Sequence, residues 1–375
     1  MFAEVSLPIS SFQTFTYLIP ENLKKEAIIS VRVQVPFGNR KVSGIIVSLK
    51  GKSSFDGQLK SIIKIDSNAP TLSKELWKLL KWISHYYVAP IGLAYNTVLP
   101  FGILKDYSPR QVWFAKFNEA GNLSTLEGLQ KSSPKQFLVY NNIKKASPNY
   151  LRVSTLKDIS SNPISICKAL QIKGYIDLFK KSEDYLMNKI ALSPEKKKII
   201  YNKEQNDVID SIKSSLKLNE FNSNLLHGVT GSGKTEIFIE SIKTAIEMGK
   251  SSIVLIPEIS LTPQIAGRFK DVFGENVALW HSQLTKIQRA KTWESINTGK
   301  SKIVIGARSA IFSPIRNLGL IIVDEEHDPS YKQESPSPRY HARDVAIMRG
   351  KIESCSVVLS SATPSLETFY NYKVK

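Results

Sequence analysis

The stretch that decides the fold is Gly228-Val-Thr-Gly-Ser-Gly-Lys-Thr235, which matches the pattern G-x-x-x-x-G-K-[ST] in full. It follows a short apolar run at 224–226 and precedes a helical pattern over 236–248. The glycines let backbone N–H groups wrap phosphates at the start of a helix, where the helix dipole also favours anions. The stretch therefore predicts a nucleoside-triphosphate site built from a strand, a loop and a helix.

Each part of this loop has an expected role. Lys234 reaches the β- and γ-phosphates, and the hydroxyl of Thr235 binds Mg²⁺. The rest of the loop contributes backbone amides, so the expected nucleotide-binding residues are Gly228, Thr230, Gly231, Ser232, Gly233, Lys234 and Thr235.

A second motif, Asp324-Glu-Glu-His327, comes directly after the apolar run 320–323. Acids at the carboxyl end of a parallel strand lie at the mouth of an α/β site, beside the phosphate loop. We expect Asp324 to be the second Mg²⁺ ligand and Glu325 to orient the attacking water. With Lys234, these two acids are the predicted catalytic residues.

The pattern of apolar and charged residues changes twice along the chain, which predicts three domains. Residues 1–105 show alternating strands and one helical stripe, which predicts a small β domain. Residues 106–200 are lysine-rich, with three short helical patterns and a strand, as in a winged-helix-like domain. Residues 201–375 alternate strands with helices, which predicts an α/β lobe with a mainly parallel sheet.

Composition narrows the partners. The chain has 375 residues, with 51 Lys+Arg against 33 Asp+Glu, and a net charge of +18. Such a charge favours a polyanion such as nucleic acid, although a generally basic surface without a ligand is the alternative. The apolar runs are too short to span a membrane and the start is no signal peptide, so we expect a soluble cytoplasmic protein without a membrane partner.

The cysteine content excludes two kinds of site. Only Cys167 and Cys355 occur, and neither belongs to a C-x-x-C pair. A disulfide framework and a cysteine-rich zinc site are therefore not expected within this chain.

The motifs together resemble a superfamily-two helicase, most closely the primosomal replication-restart DNA helicases. The Asp-Glu-Glu-His form and the segment 331–344 distinguish that family from the Asp-Glu-Ala-Asp RNA helicases. The matching segments, in chain order, are 228–235, 257–264, 281–282, 306–312, 324–327 and 361–365.

The resemblance implies that 201–375 is one RecA-like P-loop lobe that uses ATP and Mg²⁺. It implies an ATP-dependent 3′→5′ DNA helicase that binds abandoned forks and promotes primosome assembly and reloading of the replicative helicase. Its implied partners are forked and single-stranded DNA, primosome proteins and single-strand-binding proteins. The alternatives are a non-catalytic fork-binding module and a superfamily-two helicase that acts on RNA.

Further residue roles come only from the resemblance. Gln205 lies where the family reads adenine. Arg308 is implied to contact DNA phosphates. The 328–344 loop is implied to couple DNA binding to ATP hydrolysis, with Tyr331 and Tyr340 stacking on bases and Arg339 at the strand; an ordinary surface loop is the alternative.

The resemblance extends to a domain that captures the 3′ end of a nascent strand. Phe15, Gly38 and Lys60 lie at its pocket positions and are implied to stack on a base, allow close backbone approach and bind phosphate. Thr16 stands where the family commonly has an acid, and its hydroxyl can hydrogen-bond a 3′-OH less strongly than a carboxylate does. The alternative is that Phe15 packs in the core of a basic β domain.

The family also has a second motor lobe, with an arginine that completes the ATP site, and a zinc segment. From their absence here we expect an amino-terminal fragment, a split gene product or a truncated polypeptide. Because an arginine finger is worth roughly 10³–10⁵ in rate, we expect the chain alone to bind ATP·Mg²⁺ and DNA but to hydrolyse slowly.

Overall fold

The amino-terminal region is an antiparallel sheet. A computed structural model describes residues 1–52, 57–66, 71–99, 111–118, 132–147, 150–182 and 200–374. The sheet has the strand order β2-β1-β4-β3-β5, and a 3₁₀ turn at Glu21–Leu23 follows β2. Its strands are β1 Phe2–Ser6, β2 Phe15–Leu18, β3 Arg32–Phe37, β4 Arg40–Lys50 and β5 Lys64–Ile65. The alternating strands predicted for this region are confirmed, most directly by the adjacent strands β3 and β4.

Two helices complete this region: α1 Lys74–Tyr86 and α2 Ile91–Val98. The side chain of Ser73 accepts a hydrogen bond from the backbone N–H of Leu76 and so caps α1. The predicted apolar stripe is confirmed, since Leu76, Leu79 and Ile83 are buried. The same hydrophobic cluster includes Val345 of a later helix, so this region shares a core with the α/β lobe.

The described residues between 111 and 182 fall in a compact unit of their own. Its three strands lie in the antiparallel order β7-β6-β8. In chain order the elements are β6 Gln111–Phe117, α3 Pro134–Lys145, β7 Leu151–Arg152, a 3₁₀ helix Val153–Asp158, α4 Pro163–Ile172 and β8 Ile176–Ser182. The predicted boundary near residue 105 lies outside the described residues, and the winged-helix-like assignment stays a prediction.

The remaining residues form an α/β lobe around six parallel strands in the order β11-β12-β10-β13-β14-β9. These are β9 Asn222–His227, β10 Ser251–Leu255, β11 Val277–Trp280, β12 Ile303–Gly306, β13 Leu318–Val323 and β14 Ser356–Ser361. The predicted parallel α/β lobe is thereby confirmed.

Helices connect and flank these strands. They are α5 Lys203–Leu218, α6 Lys234–Glu247, α7 Pro263–Phe273, α8 Lys286–Asn297, α9 Ala342–Glu353 and α10 Leu366–Val374. Short 3₁₀ turns lie at Gly274–Asn276, Arg308–Phe312 and Pro329–Tyr331. Strand β13 is buried along its whole length, as expected for a parallel strand covered on both faces.

The strand order places the two nucleotide motifs. Strand β14 lies between β9, which leads into the phosphate loop, and β13, which leads into the acids. Because the three strands are parallel, their carboxyl ends meet at one edge of the sheet. Among the described residues, no helix is both long and apolar enough to cross a membrane.

Candidate nucleotide and DNA sites

The phosphate loop follows β9 and leads directly into α6. Gly231 and Gly233 have φ values of +82° and +86°, in the left-handed region that favours glycine. A Cβ at Gly233 would be strained by this φ and would lie 2.6 Å from the side-chain Nε2 of Gln205, which would have to move. The loop thus has the strand–loop–helix context expected of a phosphate-binding loop, and phosphate binding by its backbone amides stays a prediction.

The amine of Lys234 is held at the mouth of this loop. The residue is only 9% exposed, and its Nζ donates a hydrogen bond to the backbone oxygen of Gly228 at 2.9 Å. The same Nζ lies 3.2 Å from Oε1 of Glu325. The loop and the second acid of the 324–327 motif thus meet through one lysine, although they are about 90 residues apart in sequence.

Asp324 continues from β13, and its backbone N–H donates to the oxygen of Leu255 at 2.9 Å. Burial, with a further contribution from the neighbouring negative charge of Glu325, raises the pKa of Asp324 from 3.8 to about 6. Lys234 only partly offsets this. The carboxyl therefore stays ionised at neutral pH but is poorly compensated, a state that a nearby cation relieves.

Asp324 and Thr235 fit a magnesium ion by their chemistry. A hard divalent cation prefers carboxylate and hydroxyl oxygens, and the uncompensated carboxyl of Asp324 supplies the charge. Thr235 is partly exposed at the first turn of α6.

For zinc the structure offers no support: within the described ranges no group of three or more His, Cys, Asp or Glu residues is placed to hold a metal. Burial raises the pKa of the Cys167 thiol to about 11 and that of Cys355 to about 12.

Strand β14 links the loop to the acids. The backbone N–H of Gly228 donates to the oxygen of Ser361 at 3.1 Å, and that of Glu326 donates to the oxygen of Ser360 at 2.9 Å. His327 Nδ1 lies 2.7 Å from the Ser361 hydroxyl. The two serines at the carboxyl end of β14 therefore contact both motifs.

Glu326 is a residue that the sequence did not single out. It is fully buried, and its carboxylate accepts from the backbone N–H of Ser365 at 2.7 Å, from Arg343 Nη1 at 3.0 Å and from the Thr368 hydroxyl at 2.9 Å. Burial opposes ionisation, but these bonds together hold the pKa of Glu326 below 4.5. The acid thereby joins β13, α9 and α10. Its place within the 324–327 motif was the signal that the sequence offered for it.

Gln205 contacts the phosphate loop rather than standing apart from it. Its Nε2 donates to the backbone oxygen of Ser232 at 2.9 Å, and its Oε1 accepts from the backbone N–H of Asn202 at 3.0 Å. The second contact belongs to a capping box that begins α5. The predicted adenine contact stays a prediction, and the side chain is placed at the edge of the site.

The predicted base stacking by Tyr331 and Tyr340 is wrong. The two residues are 0% and 1% exposed, respectively. The Tyr331 hydroxyl donates to the backbone oxygen of Asp324 at 2.6 Å, and the Tyr340 ring lies edge-on to Phe312, with 5.1 Å between ring centroids. Both rings are core residues, so neither is free to contact a base.

Arg308 and Arg339, the two arginines expected to contact DNA, differ in how accessible they are to a ligand. Arg308 Nη1 donates to the backbone oxygens of Ser330 at 3.3 Å and Lys332 at 3.1 Å, so it ties the 328–344 loop to the turn after β12. Arg339 is exposed. The structure therefore gives Arg308 a positioning contact that the sequence did not predict and leaves Arg339 accessible.

Three of the predicted 3′-end residues meet at one end of the amino-terminal sheet. Phe15 is partly buried and lies edge-on to Phe37, with 5.0 Å between ring centroids. Gly38, in the β3–β4 turn, has φ +57°, and its oxygen accepts from Lys60 Nζ at 3.3 Å. Phe15 also packs against the core, so the stacking role and the core role are not exclusive.

Thr16 points to a different group. Consecutive residues of a strand face opposite sides of the sheet, and Thr16 pairs across to Glu4 of β1. Its hydroxyl donates to Glu4 Oε1 at 2.7 Å, Thr14 donates to Oε2 at 2.8 Å, and Lys50 Nζ donates to Oε1 at 3.1 Å. Although burial raises it, these hydrogen bonds hold the pKa of Glu4 below 4.5. Glu4, which the sequence did not indicate, places a carboxylate behind the Thr16 hydroxyl.

Comparison with known proteins agrees with this arrangement. Residues 4–100 match the 3′DNA-binding domain of PriA, and residues 202–371 match the DEAD/DEAH box helicase family. The chain is 38% identical to the replication restart protein PriA of Chlamydia pneumoniae, over 99% of this chain and 49% of that protein. The chain is thus similar, over almost its whole length, to the amino-terminal half of PriA. PriA of Bacillus subtilis is 33% identical, over 98% of this chain and 54% of that protein.

The match has a defined extent. The chain spans about half the length of the PriA proteins that it matches, and the match is to their amino-terminal half. Among solved structures, RecG bound to a three-way DNA junction is 22% identical with a TM-score of 0.36, over 46% of this chain and 22% of that chain.

Proposed function

We propose that this chain is the ATP- and fork-binding half of a 3′→5′ DNA helicase of replication restart. In this role it binds abandoned forks and promotes primosome assembly and reloading of the replicative helicase. The observation that carries the proposal is the lysine bridge: Lys234 Nζ lies 2.9 Å from the Gly228 oxygen and 3.2 Å from Glu325, in the mouth of the phosphate loop.

The same geometry supports a division of labour around ATP. When ATP binds, Lys234 leaves Gly228 and Glu325 and binds the β- and γ-phosphates, because the phosphates carry more negative charge than the Glu325 carboxylate and the Gly228 oxygen. Glu325 is then released to orient the attacking water. Thr235 and Asp324 hold Mg²⁺, which would neutralise charge on the phosphates. Gln205, at the edge of the loop, contacts the adenine.

The amino-terminal sheet supplies the DNA specificity in this proposal. Phe15 stacks on the terminal base of a 3′ end, Lys60 binds its phosphate, and the Gly38 turn allows close approach. Thr16, backed by Glu4, hydrogen-bonds the 3′-OH. In the motor lobe, the exposed Arg339 contacts the phosphates of the single strand. Primosome and single-strand-binding proteins are the proposed protein partners.

Steady-state ATPase measurements on residues 1–375, with and without a DNA fork carrying a 3′ end, test this function. We expect saturable ATP·Mg²⁺ binding, a slow rate raised by the fork, and loss of both in Lys234→Ala. Equal rates for the wild type and Lys234→Ala would support a non-catalytic fork-binding module instead. Competition of the fork against structured RNA completes the test, since equal or tighter binding of RNA would contradict a DNA helicase.

A further inference from the structure

Helix α1 carries two stacked aromatic rings, of which the second is exposed. Trp82 and Tyr86 lie one helical turn apart, with ring centroids 4.7 Å apart and an interplanar angle of 19°. Tyr86 is 57% exposed, and Trp82 is partly exposed. Tyr87 meets both rings edge-on, at 5.9 Å from Trp82 and 4.9 Å from Tyr86. Large stacked rings that remain open to solvent are costly to expose and mark a binding surface.

The pair is fixed in position from behind. Leu79 and Ile83, which neighbour the two rings at helical spacing, are 1% and 0% exposed and belong to the core shared with the motor lobe, and Trp82 packs against that core. The Tyr87 hydroxyl accepts a hydrogen bond from the backbone N–H of His341 at 3.1 Å, and Lys332 Nζ lies 5.5 Å from the centre of its ring. Tyr87, which contacts both rings, therefore links them to the 328–344 loop.

The charges around the rings have one dominant sign. On the exposed face of α1, Lys78, Trp82 and Tyr86 recur every four residues and so lie in one row. Lys81 is exposed on the same helix, and Lys332 is exposed on the neighbouring loop. Rings interleaved with cations are the surface that proteins use for single strands, because bases stack on the rings while lysines neutralise phosphates.

The 328–344 loop itself has no exposed ring. Its two tyrosines, Tyr331 and Tyr340, are buried, and no other aromatic residue apart from His341 occurs in that stretch. Rings that could stack on bases beside the loop therefore come from α1.

We propose that Trp82 and Tyr86 form a base-stacking platform for single-stranded DNA that passes over the 328–344 loop, with Lys78, Lys81 and Lys332 contacting its phosphates. This inference rests on the proposed function and adds a site to it. The platform lies on the amino-terminal domain, and Tyr87 links it to the motor loop, so a strand bound there reaches both. Through Tyr331, the loop in turn contacts the backbone of Asp324.

The test uses a dT oligonucleotide whose 3′ end is blocked by a phosphate, so that capture of a free 3′-OH does not contribute. Its affinity is measured for residues 1–375 as wild type, Tyr86→Ala, Tyr86→Phe and Trp82→Phe. Tyr370→Ala is the matched control, since Tyr370 is a ring on α10 that is 64% exposed. We expect Tyr86→Ala to weaken binding about tenfold, because stacking is worth roughly 1–3 kcal/mol per base. Both phenylalanine variants and the control should bind like the wild type.

A second measurement does not depend on a loss of affinity. A 5-bromodeoxyuridine-substituted oligonucleotide, irradiated on the wild-type protein, should crosslink to Trp82 or Tyr86. Unchanged affinity of Tyr86→Ala, an equal loss in Tyr86→Phe, or crosslinks that map elsewhere would each overturn the platform. None of these results removes fork-stimulated ATPase activity, so a failure of the platform remains distinguishable from a failure of the proposed function.

Discussion

The hydroxyl of Tyr331 donates a 2.6 Å hydrogen bond to the backbone oxygen of Asp324. The ring is fully buried, so the contact joins the 328–344 loop to the acid expected to bind Mg²⁺. A tyrosine expected to touch DNA is instead part of the support of the nucleotide site.

Replacing Tyr331 with Phe removes this hydrogen bond while keeping the ring. Because a buried carbonyl then loses its donor, we expect the free energy of unfolding to fall by about 1–3 kcal/mol. Affinity for single-stranded DNA should not change, since the ring is inaccessible. Urea unfolding and an oligonucleotide titration check both points, and a loss of DNA affinity with unchanged stability would contradict the buried role.

Glu326→Ala should be among the most destabilising substitutions in the motor lobe. It leaves the guanidinium of Arg343, whose side chain is 15% exposed, without its buried carboxylate. Breaking such a pair costs about 3–5 kcal/mol. Glu275→Ala is the matched control, because the Glu275–Lys300 pair is 66% and 67% exposed and is expected to matter little. Urea unfolding measures the free energy of unfolding of both variants, and equal losses in the two would contradict the prediction.

Asp324→Asn should stabilise the fold while weakening Mg²⁺-dependent nucleotide binding. The folded pKa of Asp324 is raised to about 6, so its ionised form is disfavoured in the folded state. Stability from the protonated form is present below about pH 4 and is lost as pH rises through 6. At pH 7.5 we expect the variant to be more stable by about 1–3 kcal/mol, with the difference shrinking below pH 6. Urea unfolding at pH 7.5 and below pH 6 measures the difference in stability between the variant and the wild type. A variant that is less stable than the wild type at pH 7.5 would contradict the prediction.

Glu4→Gln should reduce the preference for a free 3′-OH over a 3′-phosphate. The carboxylate accepts the proton of the Thr16 hydroxyl at 2.7 Å, which leaves the Thr16 oxygen to accept from the DNA. A charged acceptor strengthens such a chain of hydrogen bonds, so we expect the preference to fall about fivefold. Titration with paired oligonucleotides measures it, and Lys50→Gln serves as the control that keeps the carboxylate. An unchanged preference in Glu4→Gln would place the 3′-end site on the Phe15 face alone.

Local patterns predicted the motor lobe well. The phosphate loop needs glycines at positive φ, and the apolar runs of the parallel strands are continuous because both faces are buried. The same holds for α1, whose stripe of Leu76, Leu79 and Ile83 repeats at helical spacing. These features depend on residues that are close in sequence, so the sequence alone predicts them.

Contacts between distant residues were not predictable in this way. The polar context of Tyr331 and Tyr340 indicated an exposed loop, but Asp324 and Phe312, which cover them, are known only from the fold. Glu4 meets Thr16 through the register of β1 and β2, which no short-range signal specifies. The proposed role of Trp82 and Tyr86 depends on their position next to the 328–344 loop, which only the fold shows.

The most direct test is a titration of residues 1–375 with a fluorescent ATP analogue in the presence of Mg²⁺, for the wild type and Lys234→Ala. The account predicts saturable binding by the wild type that is lost, or at least about 100-fold weaker, in the variant, because one charge-assisted contact to phosphate is worth roughly 1.5–3 kcal/mol before the effects of lost charge balance. Wild-type protein that takes up no nucleotide, or a variant that binds as tightly, would contradict the claim that this loop grips a triphosphate.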